Sequence, residues 1–262
     1  MKTIATLIRL LAKPLLLLAL VLGAGFQQPR IPCGDVGKSL GAAIDTLYIK
    51  NLLLGKVDYS ADSNFVRANP QYTYRELFVE KNTYAAFVQM HEAAKADGID
   101  LKILSAARSF EYQKRIWEQK WALGGRHQTD QQKAIDILRY SAMPGTSRHH
   151  WGTDIDINSL NSAYFESGRG LKEYTWLTQN AMRFGFCQAY TSKCESERSG
   201  YEMEKWHWSY LPIAIMNTRY YARLISYTDL VGFSGSKVAQ ELMVIDSYVF
   251  GASECEAKPL FQ

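Results

Sequence analysis

Residues 147–157 read Ser147-Arg148-His149-His150-Trp151-Gly152-Thr153-Asp154-Ile155-Asp156-Ile157, and Glu204-Lys205-Trp206-His207-Trp208 follows about fifty residues later. From Thr153 onward the first run alternates polar and apolar residues. Side chains along a strand point to opposite faces in turn, so Asp154 and Asp156 share one face and Ile155 and Ile157 the other. Such a strand buries its isoleucines and presents its carboxylates to a cleft. The second run is aromatic and strand-like from Trp206 to Tyr210 and can pair with the first. Helical patterns flank both runs without a regular βαβ rhythm. The expected class is therefore α+β, with a small, mainly antiparallel sheet carrying the site.

The two runs supply imidazoles and carboxylates in metal-binding combination. A catalytic zinc takes three protein ligands and keeps a fourth position for water, while a nearby Glu accepts the water's proton. The reading is one zinc per chain on His149, Asp156 and His207, with Glu204 as general base. Gly152 lets the backbone turn tightly between His149 and Asp156. Spacing alone does not separate this from a chance grouping of two His and an Asp. Residues three apart on a strand face opposite sides, so Glu204 and His207 cannot both reach one metal from a regular strand. Glu204 must lie in the turn before it, with pairing starting near Trp206. Asp154 shares the strand face of Asp156 and is expected to orient a ligand rather than to be a fourth one, which would exclude water. His150 is expected in the cleft or at the surface. His91, on a helix stripe, and His127, in a polar loop, read as ordinary histidines with satisfied rings.

Working outward, helices are expected over 38–54, 81–97, 109–121, 130–140, 171–184 and 212–225, and a further one over 238–250. A short strand is expected over 101–105 and a loop over 57–74. At the N-terminus, Lys2, Arg9 and Lys13 precede an apolar run that ends in Gly23-Ala24-Gly25. That pattern describes a secretory signal peptide, shorter than the roughly 20 apolar residues of a spanning helix. The alternative is an uncleaved N-terminal anchor. Removing residues 1–25 leaves 30 − 3 = 27 basic against 26 acidic residues, so the net charge falls from +4 to +1. No nucleic-acid surface follows from that balance. Export permits disulfides, and the expected pairs are Cys187 with Cys194 and Cys33 with Cys255.

Ser147-x-His149-x-x-Gly152-x-x-x-Asp156 followed by Glu204-x-Trp206-His207 resembles the LAS metallopeptidases, specifically the VanY-like D-alanyl-D-alanine carboxypeptidases. Ala107-Arg108-Ser109-Phe110-Glu111-Tyr112-Gln113 is similar to that family's block ahead of the zinc site. The resemblance runs from about Leu54 to Tyr210 and implies a hedgehog/D,D-peptidase-like fold. It implies zinc on His149, Asp156 and His207, and Glu204 as base. Arg108 would bind substrate and stabilise the oxyanion, and Gln113 and Ser147 would line the pocket for the terminal D-residue. The family often has a small residue where this chain has Asp154, so its place behind the ligands rests on the shared strand face; Trp206 is expected behind them as well.

The implied substrate is a peptidoglycan stem peptide, cut at its terminal D-alanine in the periplasm or cell envelope. An L,D-carboxypeptidase, a D,D-endopeptidase and a non-catalytic zinc-bearing wall-binding module are the alternatives. The expected organisation is an export segment (1–25), an N-terminal helical segment (26–53), the catalytic domain (54–228) and a C-terminal helical tail (229–262). No stable membrane span is expected after signal cleavage, and the sequence does not indicate the oligomeric state.

Overall fold

The computed structural model describes residues 45–196 and 198–253. The export segment 1–25, residues 26–44, Cys33, Cys255 and the end of the tail from 254 lie outside the described residues. Helix α1 (Thr46–Leu53) begins at Asp45, whose carboxylate accepts from Tyr48 N at 3.0 Å. A two-stranded antiparallel ribbon follows, β1 (Phe65–Arg67) with β2 (Phe78–Glu80). Its first strand falls in the stretch expected to be loop. Three-residue strands are too short to display an alternation, and this ribbon is fixed from outside: Glu80 N donates to Gly152 O at 3.1 Å. Glu80 then caps α2 (Lys81–Ala96), accepting from the N–H groups of Asn82 and Thr83.

Strand β3 (Ile103–Ser105) leads into α3 (Phe110–Leu123), capped by Ser109, and α4 (Asp130–Leu138), which opens with a Thr129–Gln132 capping box. Next come β4 (Asp154–Ile157), α5 (Gly168–Asn180), β5 (Phe186–Gln188), the short α6 (Lys193–Ser196), β6 (His207–Tyr210) and α7 (Leu211–Leu224). Strand β5 and helix α6 were not anticipated; both are too short to carry a periodicity. The expected helix over 238–250 is instead a 3₁₀ turn at Ser236–Val238 and a π-helical turn at Ile245–Val249. Met243 lies between them at φ 48°, which no continuous right-handed helix accommodates.

The main sheet is antiparallel in the order β3-β4-β6-β5. Its register pairs Asp156 with His207, Ile155 with Trp208 and Asp154 with Ser209. One face, carrying Ile155, Ile157 and Trp208, packs with Phe87, Met90 and Leu177 of α2 and α5. The other face carries Asp154, Asp156, His207 and Ser209. It is buried too, next to a second core containing Trp117, Leu138, Trp151 and Tyr221, which α1 and the segment 230–249 also join through Leu53, Leu230, Val244 and Val249. A polar sheet face enclosed in this way must satisfy its charges internally.

Among the described residues no helix is long and apolar enough to cross a membrane. Cys187, in β5 and opposite Ser209, is disulfide-bonded to a partner outside the described residues. Cys194 is free and exposed on α6, so the expected Cys187–Cys194 pair does not form. The buried strand and the surface helix turn place the two thiols in different environments. The expected Cys33–Cys255 pair falls outside the described residues.

Candidate metal centre and active site

The cross-strand pair Asp156–His207 forms the floor of the site, and His149 is brought over it by the 3₁₀ turn Arg148–Trp151. Gly152 closes that turn at φ 70°, and a Cβ there would stand 2.3 Å from the Phe65 ring. Only glycine meets both conditions. One ligand atom each from His149, Asp156 and His207 lies within 4.8 Å of the others, and all three residues are buried.

Each imidazole has its tautomer set by a bond on the far side of the ring. His149 Nδ1 donates to Ala106 O at 2.9 Å, leaving Nε2 3.3 Å from Asp156 Oδ2. His207 Nε2 donates to Asp154 Oδ1 at 3.0 Å, leaving Nδ1 3.3 Å from Asp156 Oδ1. Asp156 Oδ1 is buried with no hydrogen-bond partner. Two ring nitrogens and a carboxylate oxygen thus converge with their lone pairs facing one another. A cation between them relieves that crowding, and the N,N,O donor set suits zinc.

Asp154 stands behind His207 as the alternation predicts. Its oxygens also accept from Arg148 Nε at 3.0 Å, Thr153 Oγ1 at 2.8 Å and Ser209 Oγ at 3.2 Å. Burial alone would raise its pKa, but Arg148 and His207 outweigh burial and hold the carboxyl well below its usual range. Burial likewise acts to depress His207, yet Asp154, Asp156 and Glu204 around it push it well above the usual imidazole range. The pocket is electrostatically built for a positive charge.

Glu204 lies in the turn just before β6, and Ile157 N donates to Trp206 O where pairing begins. Its Oε2 is 3.4 Å from His207 Nδ1, and burial pushes its pKa up despite the opposing pull of His207. The turn is anchored by Glu204 N to Tyr190 O at 2.9 Å and Gln188 Nε2 to Glu204 O at 3.1 Å. It also rests on the C-terminal segment: Ser199 Oγ donates to Ser247 O at 2.9 Å and the Tyr201 and Tyr248 rings meet at 5.0 Å. Gly200, at φ 80°, leaves no room for a Cβ, which would lie 2.3 Å from Ser247 O.

A cavity of about 490 Å³ opens above these groups, lined among others by Arg108, Ser147, His149, Asp156, Glu204, Trp206 and His207. Arg108 Nη2 lies 3.6 Å from Asp156 Oδ2 and donates to Ser105 Oγ, while Nη1 donates to Gln113 Oε1 at 2.9 Å. Gln113 itself does not line the cavity. It is fully buried, and its Nε2 donates to Ala142 O at 2.7 Å, so it holds Arg108 rather than the terminal residue of a substrate. His150 is also not in the cleft or at the surface. It is buried on the opposite side of its turn, with Nδ1 donating to Arg108 O at 2.6 Å and Nε2 accepting from Gly145 N. Burial pushes its pKa down to about 3. His91 is a core residue donating to Leu101 O, and His127 sits in an exposed turn.

Sequence reasoning gave no role to Arg148, although it stands inside the run first quoted. Its link to Asp154 depends on the Gly152 turn, which folds the chain back on itself. The cavity-lining Lys120, Tyr190 and Tyr201 carried no motif signal.

The sequence model of VanY, D-alanyl-D-alanine carboxypeptidase, matches residues 76–213. A D-alanyl-D-alanine carboxypeptidase of Enterococcus faecalis is 32% identical over 138 residues, 52% of this chain and 49% of that protein. The chain spans about half the length of the curated relatives it matches. Among solved structures, VanYB in complex with D-alanine-D-alanine is 26% identical, covering 64% of this chain and 88% of that one at a TM-score of 0.48. A zinc-bound vancomycin-resistance D,D-pentapeptidase VanY is 27% identical, covering 64% and 89% at a TM-score of 0.47. The family match takes in the Arg108 block, the His149–Asp156 run and the Glu204–His207 run together. With more than half of its length inside that match, the chain belongs to the VanY family of D-alanyl-D-alanine carboxypeptidases.

Proposed function

We propose that the protein is a zinc-dependent carboxypeptidase that removes the terminal D-alanine from peptidoglycan stem peptides ending in D-Ala-D-Ala. The observation that carries this reading is the buried trio His149, Asp156 and His207, with both ring tautomers preset and the Glu204 carboxylate 3.4 Å from His207. A binding module has no need of a buried carboxylate poised beside the metal ligands. His149 Nε2, Asp156 and His207 Nδ1 would hold one zinc, whose Lewis acidity makes water a nucleophile near neutral pH.

The remaining steps belong to the chain. Glu204, its proton affinity raised by burial, takes the proton of the attacking water and delivers it to the departing amine. Arg108, clamped by Ser105 and Gln113, faces the oxygen on which charge develops and stabilises it as a preorganised donor. Ser147 lines the cavity beside His149 and contacts the terminal residue. Trp206 forms part of the cavity wall and keeps water from the reacting bond. The N-terminal pattern of basic residues and a short apolar run supports export, so the substrate is met in the periplasm or cell envelope.

The test is amino-acid release by the full chain from defined stem peptides. D-alanine should appear from a pentapeptide ending in D-Ala-D-Ala, stop with a chelator and return with zinc. Release from tetrapeptide stems alone would replace the reading with an L,D-carboxypeptidase.

A further inference from the structure

Arg148 precedes the candidate ligand His149 in the turn Arg148–Trp151, yet its side chain reaches the group behind the other imidazole, His207. Its Nε donates to Asp154 Oδ1 at 3.0 Å, the same oxygen that accepts from His207 Nε2 at 3.0 Å. Its Nη2 donates to Ser209 Oγ at 2.8 Å, and that hydroxyl donates on to Asp154 Oδ2 at 3.2 Å. The guanidinium thus engages the carboxylate twice, once directly and once through Ser209. Its Nη1 donates to Thr218 Oγ1 of α7 at 3.3 Å, and the group lies over the Trp151 ring, 4.8 Å from its centre. Both charged side chains are sealed from water, at 1% and 0% exposure.

These contacts divide the work between the two carboxylate oxygens. Among the described residues, the other donors to Asp154 are Thr153 Oγ1 and Ser209 Oγ, and both address Oδ2. Without Arg148, nothing but His207 itself holds Oδ1 in place. That oxygen keeps the His207 proton on Nε2 and so leaves Nδ1 free for a metal, the usual task of a group behind a ligand. A planar guanidinium fixed on β6, α7 and its own turn offers one orientation, which an ammonium on a flexible stem does not. The same turn carries His149, so the two imidazoles are tied together through one side chain.

We propose that Arg148 is a positioning residue of the metal centre: through Asp154 it fixes the His207 ring for zinc, and it couples that ring to the turn bearing His149. This rests on the zinc trio of the reading above and on no particular peptide.

The test measures the zinc affinity of the full chain by competition with a chelator, with no peptide present. It compares wild type, Arg148→Met, Asp154→Ala and the double variant. Arg148→Met alone should weaken zinc binding about 10-fold, as loss of a group supporting a metal ligand does. Beside Asp154→Ala the same substitution should change the affinity less than about 2-fold, because the acceptor that Arg148 positions is already gone. A buried carboxylate deprived of its cation also destabilises the fold. Arg148→Lys therefore carries the same comparison with the charge retained. It should lose part of the affinity in the wild-type background and none beside Asp154→Ala, since an ammonium cannot hold Asp154 and Ser209 in one fixed fork. Equal losses in both backgrounds, or no loss in either, overturn the role. A wild type that binds zinc but releases no D-alanine sinks the peptidase reading alone. One that binds no zinc overturns both.

Discussion

The metal cradle and the turn that carries Glu204 are built on different principles. The cradle is a paired rung of β4 and β6, and both imidazoles have their far nitrogen bonded, His149 to Ala106 O and His207 to Asp154 Oδ1. The turn has no strand partner of its own. It hangs from Tyr190 and Gln188 on one side and leans on residues 247–248 on the other. Ligands and base alike must be held in their working geometry, but the ligands are held by a sheet rung and a capped turn, and the base by loop contacts alone. Metal content and turnover should therefore respond separately to damage in the two regions.

The sharpest way to break the comparison is Glu204→Ala. It should lower kcat by roughly 10²–10⁴ while one zinc per chain remains, as general-base loss does; zinc lost in parallel would mean that the two regions are not separable. Asp154→Asn removes the acceptor that fixes the His207 tautomer. A fall in zinc affinity of about 10–100-fold is expected, read by competition with a chelator, with turnover restored at saturating zinc. Ile155→Ala, on the adjacent rung and the opposite face of the sheet, should cost about 2–5 kcal/mol in unfolding free energy with unchanged zinc stoichiometry. The smallest effect is expected at the turn's outer support. Ser199→Ala removes one hydrogen bond, worth about 1 kcal/mol, and should lower kcat a few-fold without touching zinc affinity.

The cradle was legible because a strand's parity is rigid. Thr153 to Ile157 fixes which carboxylates share a face, and the same parity moves Glu204 off the strand that holds His207. The helices α2, α3 and α7 were legible from apolar spacing and their stop signals. What failed was side-chain direction where the chain turns. His150 and Gln113 sit beside recognisable residues, yet a 3₁₀ turn sends His150 into the core and helix phase sends Gln113 behind Arg108. Neither direction is written in spacing. The ribbon of β1 and β2, the strand β5 and the π-helical turn were missed for a related reason. Each is a few residues long and takes its shape from partners distant in sequence, such as Gly152 for Glu80 and Ser199 for Ser247. Cys187 belongs to the same class: its exposure and partner depend on which face of the sheet β5 presents.

The contact between Gly200 and Ser247 has a consequence for how the protein comes into being. A chain is made from its N-terminus, so His149, Asp156 and His207 are all synthesised before Ile245–Val249. The cradle can close while the support for Glu204 is still to come. The nascent chain then carries all three candidate ligands before it carries the support of the Glu204 turn.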